Sequence, residues 1–403
     1  MKLSKVEEAI NDIKLGKMVI VIDDEDRENE GDFIIASEKA TIEDVNFMMK
    51  EGRGLLCISI NNETAQKLDL TPMVSSNTSS HETNFTVSVD AIKNSTTGIS
   101  ANDRWQTVQV IIDDESKPED LARPGHMFPL IAKDGGVLQR AGHTEAALDL
   151  SKLANLKHSA LLVEIIDDDG KMARKDSLSN IAKKFDLKII SISDLIKYRR
   201  KNERLVQEIS SVPFPTEFGD FTLKLFEDKV NGDHHVAIVK GEITKDNPTM
   251  VRVHSQCLTG DIFGSMRCDC GQQLEEALKM IEANGSGILV YLRQEGRGIG
   301  LKNKIKAYKL QDEGLDTVEA NHALGYKSDL REYGIGAQIL LECNVQKMNL
   351  LTNNPKKIIG LEGFGLEVVG RIPIEFKSNH INKKYLETKR DKLGHLIMDS
   401  ESE

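Results

Sequence analysis

Apolar residues recur along this chain with two different periods. In VEEAINDIKLG (residues 6–16) their spacing predicts an amphipathic helix that stops at a glycine, and the apolar run MVIVI (18–22) then predicts a buried strand. The run GILV (287–290) predicts another buried strand, whereas the alternating FTVSVDA (85–91) predicts a half-buried one. The chain is therefore expected to contain both helices and strands.

The apolar pattern weakens near the middle of the chain. After a predicted helix, SDLIKYRR (193–200), residues 198–219 are rich in charge and contain two prolines, as a linker would. A length of 403 residues suits two domains of about 200 residues each better than one. We therefore predict domains at residues 1–200 and 201–403.

Composition narrows the class of protein. A hydrophobic fraction of 39% and a charged fraction of 29% are typical of a globular protein, and a net charge of −11 argues against nucleic acid as a partner. No apolar run approaches the roughly 20 residues that a membrane span needs, and no secretory signal follows Met1. An odd number of cysteines, five, favours a reducing cytoplasm over a disulfide framework. Cys57 and Cys343 lie among apolar residues and are expected to be inert core thiols.

An acidic stretch follows the first predicted strand. DDEDRENEGD (23–32) has seven acidic residues among its ten and carries Arg27 in their midst. Such a run is often only a solvated loop. Its place at the end of an apolar strand favours a site instead, and clustered carboxylates suit Mg²⁺ or Mn²⁺. A metal site is the preferred interpretation.

Three later segments of the first half contain candidate chemistry. TTGISANDR (96–104) is a hydroxyl-rich loop able to donate to phosphate, and RPGHMFPL (123–130) places His126 in a predicted loop, where a lone histidine is more often structural. In VLQRAGHTEAALDL (137–150), His143 could bind a metal, while Arg140 and Thr144 face an anion at a helix N-terminus. Glu164 stands inside an apolar strand, where burial should raise its pKa and suit acid–base chemistry.

Three of the five cysteines occur together in VRVHSQCLTGDIFGSMRCDCGQQL (251–274), namely Cys257, Cys268 and Cys270. Three sulfurs can hold a tetrahedral Zn²⁺ and leave its fourth position open, as in a catalytic site. His254 could instead close the site and make it a structural zinc knuckle. We favour catalytic zinc because of the segments that follow.

Those segments suit a nucleotide. YLRQEGRGIG (291–300) comes after a buried strand, and its glycines with Arg293 and Arg297 allow close approach to phosphate, although such a loop alone can be an ordinary turn. DTVEAN (316–321), SDLREYGIGAQIL (328–340) and LLTNNPKKI (350–358) follow. From PFPTEFGDF to YLETKRDKLGHL (213–396), these motifs together resemble GTP cyclohydrolase II.

That resemblance implies hydrolytic opening of the guanine imidazole ring of GTP, with release of formate and pyrophosphate, by water on one zinc ion per chain. Arg331 would be the nucleophile at the α-phosphorus and Asp329 the proton acceptor, although both could equally form a surface ion pair. Tyr308 could orient guanine or simply pack in the core. The residues implied to contact GTP are Arg252, Val253, His254, Ser255, Gln256, Gln273, Glu295, Gly296, Arg297, Tyr308, Thr317, Thr352 and Lys357.

The motifs of the first half, DDEDRENEGD, TTGISANDR, RPGHMFPL and GGVLQRAGHTEAALDL, resemble 3,4-dihydroxy-2-butanone-4-phosphate synthase. The resemblance implies conversion of ribulose 5-phosphate to 3,4-dihydroxy-2-butanone 4-phosphate and formate. Glu28 and His143 would bind one or two Mg²⁺ or Mn²⁺ ions, and His126 and Glu164 would transfer protons, in a site completed across a homodimer. The implied substrate contacts are Arg27, Glu28, Asp32, Arg140, Ala141, Gly142, His143, Thr144 and Glu164.

The whole chain is thus similar to bifunctional riboflavin-biosynthesis enzymes. The implied fold class is mixed α/β (α+β), with an α+β domain followed by an α/β domain. Four residues depart from the usual patterns: Gln256, Lys302, Asn349 and Trp105. None removes an implied metal ligand or acid–base group. The alternative is a half-degenerate protein in which one domain has only a structural or regulatory role.

Overall fold

The computed structural model describes residues 3–25, 27–79, 83–326, 334–362, 364–376 and 378–396. The chain divides into two compact units, Met1–Asn202 and Glu203–Glu403. Each unit has its own sheet and its own apolar core. Among the described residues, no helix combines the length and the apolar character needed to cross a bilayer.

In the described part of the first unit, strands form one seven-stranded sheet in the order β4-β5-β3-β6-β2-β1-β7. The strands are β1 (Val19–Ile22), β2 (Gly31–Ala36), β3 (Cys57–Ile60), β4 (Val89–Ala91), β5 (Leu121–Ile131), β6 (Ser159–Glu164) and β7 (Lys188–Ser191). The helices are α1 (Val6–Lys14), α2 (Ile42–Phe47), α3 (Asn62–Lys67), α4 (Ala101–Ile112), α5 (His143–Leu153), α6 (Lys175–Phe185) and α7 (Ile192–Asn202).

Helices cover both faces of this sheet. Ile20 and Ile22 of β1 pack in one apolar cluster with residues of α2, α4 and α6, whereas Val19 and Val21 pack in another with residues of α1, α5 and α7. Successive residues of a strand point to opposite faces, so a strand covered on both sides must be apolar throughout. The helix and strand predicted for residues 6–22 are confirmed as α1 and β1.

Two segments of the first unit, FTVSVDA and RPGHMFPL, differ from prediction. Of FTVSVDA only Val89–Ala91 forms a strand, and RPGHMFPL, predicted as a loop, lies within β5. The β4–β5 register shifts, because Asp90 pairs with Ala122 whereas Val89 pairs with Met127. Such a bulge accommodates a proline, which cannot donate to the ladder. His126 is therefore placed on a bulged strand, which its Pro/Gly neighbours alone did not reveal.

In the described part of the second unit, strands again form a seven-stranded sheet, in the order β14-β13-β11-β12-β10-β9-β8. The strands are β8 (Val206–Thr216), β9 (Gly219–Asp228), β10 (His234–Lys240), β11 (Thr249–Ser255), β12 (Gly287–Leu292), β13 (Lys347–Leu351) and β14 (Glu367–Ile372). The helices are α8 (Leu258–Asp261), α9 (Cys270–Asn284), α10 (Gly300–Asp312), α11 (Thr317–Ala323), α12 (Gly334–Glu342), α13 (Pro355–Glu362) and α14 (Lys383–Asp391).

One edge of the second sheet collects the candidate nucleotide motifs. β11 pairs in parallel with both β12 and β13, so the carboxyl ends of all three strands meet at the same edge. The segments beginning at Gln256, Arg293 and Thr352 leave the sheet there. This is the usual position of a ligand site in a sheet with parallel strands. The strand predicted for GILV is confirmed as part of β12.

Candidate active sites

The acidic stretch forms a turn closed by its own first carboxylate. Asp23, directly after β1, accepts hydrogen bonds from the backbone N–H groups of Glu28, at 3.1 Å, and Glu30, at 2.8 Å. Arg27 donates to Asp23 at 2.9 Å and to Glu28 at 2.5 Å. Arg174 binds the turn from outside through the carbonyl oxygen of Glu28, at 2.9 Å. These bonds hold several carboxylates close together despite their mutual repulsion.

His143 completes this cluster from the first position of α5. Its Nδ1 lies 3.8 Å from an oxygen of Glu28 and 3.9 Å from an oxygen of Asp32. Burial raises the pKa of the Asp32 carboxyl to about 7. Burial by itself would lower the pKa of His143, but Asp32 and Glu28 raise it to about 9. The cluster therefore holds protons where a bound cation could replace them.

The donor atoms fit a divalent cation. One ligand atom each from Asp23, Glu28 and His143 lies within 4.8 Å of the others. Nε2 of His143 and Oδ1 of Asp32 are buried and, among the described residues, have no hydrogen-bond partner. Carboxylate oxygens with an imidazole nitrogen suit Mg²⁺ or Mn²⁺. Asp23 was not predicted as a ligand from the sequence, because only the folding of the turn brings its carboxylate to the cluster.

The start of α5 is arranged for an anion. Arg140 donates to Glu145 at 2.5 Å and to the hydroxyl of Thr83 at 2.8 Å, which fixes its guanidinium beside the helix N-terminus. A Cβ on Gly142 would lie 2.2 Å from Nη1 of Arg140, so glycine permits this approach. Thr144 is buried in the first turn. The predicted substrate contacts Arg140, Ala141 and Thr144 are thus neighbours of the candidate metal ligand His143.

Glu164 and His126 occupy different surroundings. Glu164, at the end of β6, pairs across the sheet with Asp32, and its Oε2 accepts from the backbone N–H of Leu55 at 2.8 Å. Nδ1 of His126 instead lies 2.7 Å from Oδ2 of Asp90, on a partly exposed surface. The contacts described within one chain bring Glu164, but not His126, to the Glu28–His143 cluster.

The hydroxyl-rich loop before α4 folds onto its own helix. Oγ1 of Thr96 donates to Asp103 at 2.7 Å, and the backbone N–H groups of Thr96 and Gly98 donate to the same carboxylate at 3.1 Å each. The loop was predicted to be able to donate to a phosphate, and of its hydroxyls that of Thr96 is used within the loop. The hydrogen bonds of Thr96 lower the pKa of Asp103 to about 2.

The three cysteines of the second unit converge as predicted by their spacing. Cys257 follows β11, Cys270 opens α9, and one ligand atom from each of Cys257, Cys268 and Cys270 lies within 4.8 Å of the others. The sulfurs of Cys257 and Cys268 are 3.7 Å apart, close to the roughly 3.8 Å expected for a tetrahedron with Zn–S bonds of about 2.3 Å. The sulfur set and its spacing fit zinc.

The thiols share negative charge. Hydrogen bonds from Cys268 and Cys270 hold the pKa of Cys257 far below its usual value, and the Cys257 sulfur raises the pKa of Cys268 to about 11. Lys304 donates to the sulfur of Cys257 at 3.1 Å and to Glu295 at 2.7 Å. This lysine was missed in the sequence, because only the fold brings α10 against the cysteines.

His254 does not join the thiols. Its Nε2 lies 3.1 Å from Oδ1 of Asp261, and its ring stacks on Tyr291 with centroids 5.6 Å apart. Asp261 also accepts from the hydroxyl of Tyr291 and from the backbone N–H of Cys257, each at 2.8 Å. The described donors at the thiol cluster are thus the three cysteines, which leaves the knuckle interpretation without its fourth ligand.

The residues implied to contact GTP surround one cavity beside the thiols, apart from Val253, whose carbonyl accepts from Nζ of Lys357 at 2.8 Å. Tyr308 lines this cavity, and its hydroxyl lies 3.1 Å from that of Thr259. Nη1 of Arg297 is buried and, within the described residues, has no hydrogen-bond partner. The predicted GTP contacts that line this cavity are Arg252, His254, Ser255, Gln256, Gln273, Glu295, Gly296, Arg297, Tyr308, Thr317, Thr352 and Lys357.

Asp329 and Arg331 lie outside the described residues. The structure describes all four residues that depart from the usual family patterns. Trp105 packs on the core, and its Nε1 donates to the carbonyl of Ala40 at 2.9 Å. Lys302 is exposed, Gln256 lines the cavity, and Asn349 lies in β13 beside the close-packed Gly370. Cys57 and Cys343 are buried, which raises the pKa of each thiol.

Comparison with known proteins identifies both units. The family model described as 3,4-dihydroxy-2-butanone 4-phosphate synthase matches residues 7–198, and the one described as GTP cyclohydrolase II matches residues 207–373. A solved structure of RibBX, a two domain 3,4-dihydroxy-2-butanone 4-phosphate synthase from A. baumannii, is similar to this chain, with a TM-score of 0.69 and 36% sequence identity, and the match covers 93% of this chain and 100% of that one.

Two relatives match almost end to end. The riboflavin biosynthesis protein RibBA of Chlorobium phaeovibrioides is 57% identical over 397 residues, which cover 98% of this chain and 97% of the relative. That of Cytophaga hutchinsonii is 56% identical over 399 residues, which cover 99% of this chain and 98% of the relative. The resemblance and the mixed α/β fold are thereby confirmed. The chain belongs to the family of bifunctional riboflavin biosynthesis enzymes, in which a 3,4-dihydroxy-2-butanone 4-phosphate synthase domain precedes a GTP cyclohydrolase II domain.

Proposed function

We propose that the first unit converts ribulose 5-phosphate to 3,4-dihydroxy-2-butanone 4-phosphate and formate. The second unit hydrolyses GTP to 2,5-diamino-6-ribosylamino-4(3H)-pyrimidinone 5′-phosphate, formate and pyrophosphate. The observation that carries this proposal is the presence of two chemically different donor sets, one in each unit. Asp23, Glu28 and His143 offer oxygen and nitrogen, whereas the second set offers three sulfurs.

In the first unit, Asp23, Glu28 and His143 would hold one or two Mg²⁺ or Mn²⁺ ions. Such an ion, when bound, supplies Lewis acidity toward the carbonyl and hydroxyl oxygens of the sugar, which makes the adjacent C–H acidic. Arg140 and the N-terminus of α5 would bind the phosphate. Glu164, held by the N–H of Leu55 and close to Asp32, would move protons to and from the sugar carbons.

His126 would act in the site of a second copy of the chain. Its side chain is 45% exposed and oriented by Asp90, so a partner can reach it. This supports a homodimer in which each site combines Glu164 of one subunit with a histidine of the other. The Asp90 carboxylate, 2.7 Å from Nδ1 of His126, would fix the orientation of the ring.

In the second unit, Cys257, Cys268 and Cys270 would hold one zinc ion. When bound, zinc supplies acidified water for attack on the imidazole ring of guanine. Arg297 and Lys357, with Thr352, would bind the phosphates, and Tyr308 would orient the base. Arg331 would be the nucleophile at the α-phosphorus, and Asp329 would be its proton acceptor. Each unit contains a candidate donor set and matches a family model, so a degenerate domain has no support.

Metal analysis combined with two formate assays tests this proposal. We expect about one zinc per purified chain, formate from GTP when that zinc is bound, and formate from ribulose 5-phosphate only after Mg²⁺ or Mn²⁺ is added. Folded protein that produces no formate from one of the two substrates, with its metal supplied, would contradict the corresponding half of the proposal.

A further inference from the structure

The C-terminal helix reaches the candidate nucleotide cavity from outside the matched family region. The GTP cyclohydrolase II model ends at residue 373, whereas α14 spans Lys383–Asp391. Tyr385, Lys389 and His395 nevertheless line the same cavity as Cys268. A helix that contributes to this lining can influence the reaction as well as the stability of the unit.

Lys389 makes the central contact of this helix. Its side chain is buried, and Nζ donates to Oδ1 of Asp269 at 2.6 Å while lying 4.6 Å from the ring centroid of Tyr385. Asp269 stands between Cys268 and Cys270 in the sequence and is itself 5% exposed. The ion pair therefore joins α14 to the segment that presents two of the three sulfurs.

Hydrogen bonds continue from this ion pair into the cavity. Oδ2 of Asp269 accepts from Nε2 of Gln273 at 2.6 Å, and Oε1 of Gln273 accepts from Nη2 of Arg252 at 2.5 Å. Nη1 of Arg252 donates to the carbonyl of Leu351 at 2.8 Å. The series thus runs from α14 to the end of β13, and both Gln273 and Arg252 line the cavity.

A buried charge in such a series depends on its partner. Removing one member of a buried ion pair leaves the other charge desolvated and uncompensated, which costs more than the pair itself contributes. Without the ammonium of Lys389, the buried Asp269 carboxylate loses the counter-ion that lies 2.6 Å away and shifts toward water. Such a shift alters its hydrogen bond to Gln273 and hence the position of Arg252.

We propose that Lys389 is a positioning residue for the reaction of the second unit, acting through Asp269 on the adjacent Cys268 and Cys270 and, through Gln273, on Arg252. It makes α14 an essential part of the nucleotide site. The inference rests on the proposed hydrolysis of GTP. It assigns Lys389 no contact with the reacting atoms.

The test compares four variants of the full chain with wild type: Lys389→Met, Lys389→Arg, Asp269→Asn and the double variant Lys389→Met/Asp269→Asn. Lys383→Met is the matched control, because Lys383 is exposed on the same helix. The measurements, made with saturating zinc, are KM and kcat for GTP. Zinc release to a chromogenic chelator and formate release from ribulose 5-phosphate are followed in parallel.

For Lys389→Met we expect KM for GTP to rise at least about tenfold and zinc release to accelerate. The ribulose 5-phosphate reaction should stay unchanged. Lys389→Arg, which keeps the charge, should remain close to wild type, and so should Lys383→Met. The double variant should be no worse than Lys389→Met alone, since the two residues act through one contact.

An unchanged KM in Lys389→Met, a loss confined to kcat, or additive effects in the double variant would overturn the inference. Should Lys389→Met fail to fold, Asp269→Asn and Lys389→Arg supply the same comparison. Wild-type protein that retains zinc but releases no formate from GTP would overturn the proposed function itself. If wild type is active and Lys389→Met has the same KM for GTP and the same rate of zinc release, only the role of Lys389 is overturned.

Discussion

The ammonium of Lys304 partly offsets the negative charge of the thiolate site at Cys257. Three thiolates carry more negative charge than Zn²⁺ neutralises, and the ammonium of Lys304 lies 3.1 Å from the sulfur of Cys257. Its second bond, to Glu295, holds it there at 2.7 Å. Residues that support metal ligands in this way affect metal affinity strongly although they never touch the ion.

Replacing Lys304 by methionine should therefore weaken zinc binding. We expect a loss of about ten- to a hundredfold in zinc affinity, with a parallel loss of GTP hydrolysis at limiting zinc. The measurement is zinc competition with a chelator of known affinity. Lys302→Met, two positions away and exposed, is the matched control. Equal affinities in the two variants would show that the Lys304 contact has no influence on the site.

Asp103 gives a pH-dependent prediction. Its folded-state pKa of about 2 lies below the ordinary value because Thr96 hydrogen-bonds to the carboxylate. The ionised form is thus stabilised by folding, so the contribution is complete above about pH 4 and disappears as the pH falls toward 2. Asp103→Asn should destabilise the first unit near neutral pH and lose this disadvantage in acid.

Trp105, the single tryptophan of the chain, lies in α4 two residues from Asp103 and reports unfolding of the first unit by its fluorescence. Urea titrations between pH 6 and 3 would follow the difference between wild type and Asp103→Asn. The exposed Asp114, replaced by asparagine, serves as control. A stability difference that does not shrink with falling pH would contradict the assigned role of the carboxylate.

Among the elements, the bulged strand β5 and its partner β4 show how packing limits prediction. Gly98 adopts a φ of +85°, and a Cβ there would lie 2.0 Å from Oδ2 of Asp90 and 2.7 Å from Nδ1 of His126. The Asp90–His126 pair can exist only because this position has no side chain. The sequence showed a glycine in a loop, but not what lay against it.

Gly98→Ala should therefore displace Asp90 and His126 and greatly reduce formate release from ribulose 5-phosphate, with GTP hydrolysis unchanged. Gly170→Ala is the control, because Gly170 has a similar φ of +81° but open space around its Cβ position. Both variants bear the backbone cost of a left-handed residue, on the order of 1 kcal/mol. If they lose activity equally, backbone strain rather than contact with the Asp90–His126 pair explains the effect.

Local signals predicted those parts of the fold and the sites that depend on neighbours in sequence. The helix and strand of residues 6–22 followed from apolar spacing, and the convergence of Cys257, Cys268 and Cys270 from their separation. Lys304 and Lys389 escaped notice because helix lysines are ordinarily exposed. Only long-range packing places one on a cysteine and the other on Asp269.

In the whole molecule, each of the two units has its own sheet, its own apolar core and its own candidate metal-donor set. Oxygen and nitrogen ligands in one unit and sulfur ligands in the other select different metals. If the two reactions depend on different ions, as proposed, each should be lost without the other. Such independence is the central claim about how this chain works.

Formate release from each substrate by Cys268→Ser and by Glu28→Gln tests that claim most directly. We expect Cys268→Ser to lose zinc and GTP hydrolysis while it keeps ribulose 5-phosphate conversion near the wild-type rate. Glu28→Gln should show the reverse pattern. Each variant must first retain the circular dichroism spectrum of wild type. Loss of both reactions in either well-folded variant, or continued GTP hydrolysis by Cys268→Ser, would contradict two independent metal-dependent sites.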